Sequence, residues 1–68
     1  MKDIVVKEQP GFRLRVKAWE ALAPKGLFAV DFIQEILNND GSVNDTNTYN
    51  FHMTRDELKV LAEGLLSI

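Results

Sequence analysis

The residues that could do chemistry in this chain are few. It has one histidine, His52, two serines, Ser42 and Ser67, and no cysteine. A Ser–His–Asp set needs its hydroxyl within hydrogen-bond reach of the imidazole. Ser42 stands ten residues from His52 on one expected strand, ~33 Å away at the strand rise. His52 alternates outward there, as a solvated strand histidine. Asp31 and Glu35 share a strand face, but ~13 Å separates them, against the ~5–9.5 Å span of glycosidase carboxylate pairs. The segment Asn38-Asn39-Asp40-Gly41 hints at a calcium loop. An EF-hand with its glycine at Gly41 needs a ligand at Ile36 and a glutamate at Asn47, and both fail. Neither GxGxxG nor GxxxxGK[ST] occurs, so no phosphate cradle is visible. The expectation is a chain with no catalytic residues, no cofactor and no metal site.

Binding chemistry is better represented. Arg13, Arg15 and Lys17 alternate along one segment and Trp19 follows. A basic strand ending in an aromatic could track a phosphate backbone and stack a base. Asp31 and Glu35 fall on the neighbouring strand and the same face, where they can pair with the basic row instead. Residues 1–25 carry six cations against three carboxylates, and residues 26–68 carry two against seven. The chain is net −2, a poor balance for non-specific phosphate binding. Ile33, Leu27, Leu37 and Trp19 are expected to lack cover, and apolar residues on an open face mark contact surfaces. The candidate partner-binding surface is therefore Arg13, Arg15, Lys17, Trp19, Asp31, Ile33 and Glu35, with Trp and Arg as the usual anchors of interfaces.

The elements that position these residues can be read from turns and periodicity. Pro10-Gly11, Pro24-Lys25-Gly26 and Asn38-Asn39-Asp40-Gly41 punctuate the chain. They leave Asp3–Glu8, Phe12–Leu22, Leu27–Leu37, Val43–Met53 and a C-terminal piece. Phe12, Leu14, Val16 and Ala18 alternate with Arg13, Arg15 and Lys17, a half-buried strand with a basic outer face. Leu27–Leu37 has some helical spacing too, but Tyr49, Phe51 and Met53 supply a matching strand. Folding the two about a two-residue Asp40-Gly41 turn sets Phe32 opposite Tyr49, Val30 opposite Phe51 and Phe28 opposite Met53. A three-residue loop, Asn39-Asp40-Gly41, slips the register and sets Val30 opposite Asn50, so the apolar pattern selects the first arrangement. The strand around Ile4–Lys7 has the weakest signal, and Gln9-Pro10-Gly11-Phe12 before the second strand fits a type II turn.

Thr54 and Glu57 form a capping box, with Met53 and Leu58 at the staple positions. Leu58, Leu61, Ala62 and Leu65 then make a helical stripe, predicting a helix from about Arg55 to Leu66. Gly64 interrupts it at ~1 kcal/mol relative to alanine, with close approach to a strand as its expected use. The pattern predicts an α+β fold: a four-stranded antiparallel meander with one C-terminal helix packed on one face, ββββα.

The length, 68 residues, allows one small domain, residues 1–68, which buries only about 60 % of its unfolded surface. With 46 % hydrophobic residues the chain is not disordered throughout. Absence of cysteine excludes a disulfide framework and a thiolate zinc site. No membrane span or secretory signal is seen, and a cytoplasmic protein is expected. In size, acidity and lack of a catalytic set the chain resembles, in type and without a shared motif, small accessory proteins of phages and mobile elements. The functional expectation is a non-enzymatic protein-binding module, a candidate homodimer, that regulates or inhibits a larger partner. The alternative is a nucleic-acid-binding regulator using the Arg13, Arg15 and Lys17 face.

Overall fold

The computed structural model describes all 68 residues, Met1–Ile68. Its strands are β1 (Lys2–Gln9), β2 (Phe12–Glu20), β3 (Leu27–Leu37) and β4 (Val43–Thr54), and α1 (Arg55–Leu66) follows directly. The strands form one antiparallel sheet in the order β1-β2-β3-β4, which is the expected ββββα meander. The weakly signalled first strand is a full strand. No helix is long and apolar enough to cross a membrane.

The β3–β4 pairing follows the apolar pattern. Val30 lies opposite Phe51, Phe32 opposite Tyr49 and Phe28 opposite Met53. The loop that delivers this register differs from the expected two-residue turn. The Asn38 N–H donates to the Ser42 carbonyl at 2.8 Å, so Asn39-Asp40-Gly41 is a three-residue loop. Gly41 has φ 87°, the left-handed residue that such loops require. Leu37 then pairs with Val43, while Ile36 pairs with Asp45. Asn44 is the extra residue, and its bulge restores the register that the loop would have slipped. Asp40 holds the loop by accepting from the Ser42 N–H at 2.9 Å and from its hydroxyl.

A second bulge shapes β1. Lys7 pairs with Leu14 but Val5 pairs with Arg15, leaving Val6 unpaired. The turn between β1 and β2 places Gly11 at φ 85°, as the third position of a type II turn demands. Register then assigns two faces. One carries Val16, Ala18, Val30, Phe32 and Phe51, with the Phe32 and Phe51 rings edge to face at 6.0 Å. The other carries Arg13, Arg15, Lys17 and Trp19 of β2 beside Glu35, Ile33, Asp31 and Ala29 of β3.

The helix starts where the sequence predicts. The Glu57 N–H donates to Thr54 Oγ1 at 3.2 Å, and the Thr54 N–H donates to Glu57 Oε1 at 2.8 Å. Arg55 lies 5.1 Å from the Phe28 ring centroid, a cation–π contact that ties the first turn to β3. Beyond that turn the helix stands off the sheet and buries none of its residues. Gly64 does not serve a close approach: a Cβ there would meet nothing within 4 Å.

These observations fix the sign of two substitutions. Thr54→Ala removes the cap acceptor and costs ~1 kcal/mol, lowering the melting temperature by about 4–8 °C in a domain of this size. Gly64→Ala adds a methyl in open space and stabilises by ~0.4–1 kcal/mol through the unfolded chain's lost freedom. Thermal melts followed by circular dichroism check both. A Thr54→Ala protein that melts with the wild type, or a Gly64→Ala protein that melts below it, contradicts this account of the helix.

Candidate functional site: two faces of one sheet

Glu35 organises the helix-free face. It is 5 % exposed and lies directly across from Arg13. Arg13 Nε donates to Glu35 Oε1 at 2.7 Å, and Arg15 Nη1 donates to the same oxygen at 3.4 Å. Each guanidinium also reaches β1. Arg13 Nη1 donates to Glu8 Oε1 at 3.2 Å, and Arg15 Nη2 donates to Asp3 Oδ2 at 3.0 Å. The result is a network of two guanidiniums and three carboxylates across β1, β2 and β3.

The network sets the protonation states. The hydrogen bond from Arg13 holds the Glu35 carboxyl below its ordinary value, outweighing the opposing effect of burial. Arg13 is raised chiefly by its bond to Glu35, and Arg15 chiefly by its bond to Asp3. A carboxylate held ionised by two cations is not poised to carry a proton, so Glu35 is unsuited to general acid–base work. Away from this face, Ser42 lowers the Asp40 carboxyl through its hydroxyl and its N–H. The two serine hydroxyls are used locally, Ser42 on Asp40 and Ser67 on the Gly64 carbonyl at 2.8 Å.

All seven sequence-selected residues share this face, but they do different things. Arg13, Arg15 and Glu35 form the network. Asp31 accepts from Asn50 Nδ2 at 2.6 Å instead of pairing with the basic row. Lys17 sits between Asp3 and Asp31 in register and forms no ion pair. Trp19 ends the row, 36 % exposed. Ile33 departs from expectation: it is 7 % exposed and belongs to the core. Its register neighbours are Arg15 and Thr48, and an arginine bonded at its head lays its alkyl stem along apolar surface. Leu27 and Leu37 are half-buried.

Sequence reasoning missed two features. The first is the part of Asp3 and Glu8, whose charges complement Arg15 and Arg13 only once the Val6 bulge has set the β1 register. The second is on the other face. Between sheet and helix runs an apolar groove of about 390 Å³. Its floor is Ile4, Val6, Val16, Ala18, Val30 and Phe32, and its wall is Leu58, Leu61, Ala62 and Leu65. The signal for it was the narrow helical stripe, too small to cover a four-stranded sheet. No protein-family model matches the chain, and no curated protein or solved structure matches it.

The Glu35 network predicts an acid transition. A carboxyl held below its ordinary value of 4.5 in the folded chain stabilises fully above that value, and the stabilisation is lost as pH falls through the lowered one. Glu35→Gln should lower the melting temperature at neutral pH and flatten its decline below about pH 4.5. Melting temperatures of both proteins from neutral to acid pH check this, and parallel curves would contradict it.

Proposed function

We propose that this chain is a non-enzymatic protein-binding module that regulates or inhibits a larger partner protein, docking on the helix-free face around Trp19. The observation that carries the reading is the charge balance of that face. Arg13, Arg15 and Lys17 stand against Asp3, Glu8, Asp31 and Glu35, three cations against four carboxylates. Phosphate binding requires cations free to replace counterions, and two of the three are engaged in ion pairs. What remains is a surface of oriented guanidiniums beside a partly exposed tryptophan, the residue types that anchor protein interfaces. The chain's small size and acidity are in keeping with accessory proteins of phages and mobile elements. Its freedom from cysteine supports action in the cytoplasm.

Two measurements test the reading. Fluorescence anisotropy with labelled single-stranded and duplex DNA and with RNA should show no saturable binding at micromolar protein in about 0.15 M salt. Saturation there would favour the nucleic-acid alternative and overturn the reading. Proteins retained from the source cell by the immobilised chain should be identified, and the affinity of the retained partner measured. Trp19→Ala should weaken that affinity by ~30-fold or more, the size of an interface anchor, when measured well below the variant's own melting temperature. Equal affinity of wild type and variant would remove the assigned face.

A further inference from the structure

The groove side of the sheet carries an inference independent of the partner face. The chain exposes 5308 Å². A compact monomer of 7.7 kDa exposes ~4,300 Å² by the usual scaling of area with mass. The excess, about 1,000 Å², is close to the ~800 Å² that each partner loses in a standard stable interface. Part of the exposed area is apolar helix surface: Leu61 is 36 % and Leu65 59 % exposed, on the stripe that lines the groove. All ten groove-lining residues are hydrophobic, so nothing there recognises a charged or polar ligand. The groove also opens toward β1, an unpaired edge strand whose Ile4, Val5 and Val6 are exposed.

We infer that the groove is closed by a second copy of this chain. The argument is self-complementarity. One protomer presents both an apolar cleft and an apolar helix stripe that does not fill it. A two-fold axis lets each helix stripe enter the other protomer's cleft, an isologous contact in which one pairing is made twice.

The test is the solution mass of the full chain by sedimentation equilibrium. The wild type should sediment as twice 7.7 kDa, and its melting temperature should rise with protein concentration, as mass action requires of a dimer. Leu65→Asp should sediment as a single chain at the same concentration. Val60→Asp, at a position 72 % exposed and on the opposite side of the helix from Leu65, should remain a dimer. A wild type with the mass of one chain and a concentration-independent melting temperature overturns the inference and leaves the groove to another polypeptide. A dimer that survives Leu65→Asp overturns the assigned surface. Because the wild-type mass and melt are read separately, a Leu65→Asp chain that does not fold still leaves the inference decided. Neither result bears on Trp19, whose face lies across the sheet.

Discussion

All four buried residues of this protein, Ala29, Val30, Ile33 and Glu35, lie on β3, so the fold depends on the register of that strand against its two neighbours. Toward β4 the register is chosen by apolar matching, Val30 on Phe51 and Phe32 on Tyr49. Toward β2 it is chosen by charge, Glu35 across from Arg13 and within reach of Arg15. A slip of one residue on either side would turn every side chain of the slipped strand to the opposite face. Against β2 it would also leave Glu35 buried without its cations. Two unlike interactions therefore select one alignment, and agreement of this kind separates a native pairing from its competitors.

The Glu35 network is better understood as a selector than as a source of net stability. Taking a carboxylate out of water opposes folding, and the two guanidiniums offset that cost without a large surplus. The asymmetry lies in the alternatives. A state that keeps Glu35 buried and removes Arg13 retains the desolvation cost and loses the compensation. The same arrangement covers Ile33. A guanidinium anchored at its head holds its methylene stem over the sheet, so β2 supplies part of the roof that a second helix would otherwise provide.

The fold was legible where one pattern decided it and illegible where two small effects had to combine. Strand periodicity, the capping box and the Leu58–Leu65 stripe each specify an element alone, and those elements are present, β3 and the helix with the expected ends while β2 stops at Glu20 short of Leu22. The hairpin register was legible for the same reason, since only one alignment matches the large apolar residues. Its loop was not. The three-residue loop and the Asn44 bulge each shift the pairing by one residue and cancel, and neither leaves a mark in the hydrophobic pattern. The Val6 bulge hid the partners of Arg13 and Arg15 in the same way, because an ion pair across strands can be named only after the register is known. Ile33 was misjudged through its backbone neighbours. Alternation assigned it correctly to the helix-free face, but it is buried between Arg15 and Thr48 in register, residues that a binary pattern counts as polar.

That misjudgement inverts the expected economy of the sheet. An antiparallel sheet with one helix has a covered face and an open one, and the sequence points to the helix side as covered. The structure distributes burial the other way. Three of the four buried residues face away from the helix, and two of them, Ile33 and Glu35, lie across from ion-paired arginines. The helix, tied down at its first turn by the cap and by Arg55 on Phe28, leaves apolar surface open on both sides of the groove. The middle of the charged face is closed by ion pairs within one chain, which leaves Lys17 and Trp19 at its end for contact. The apolar face has no such internal closure, because dispersion and hydrophobic contact need atoms that fill the space. The apolar layer this small domain lacks therefore belongs beside its helix, and the face that sequence alone marks as bare needs no second layer to bury Ile33 and Glu35.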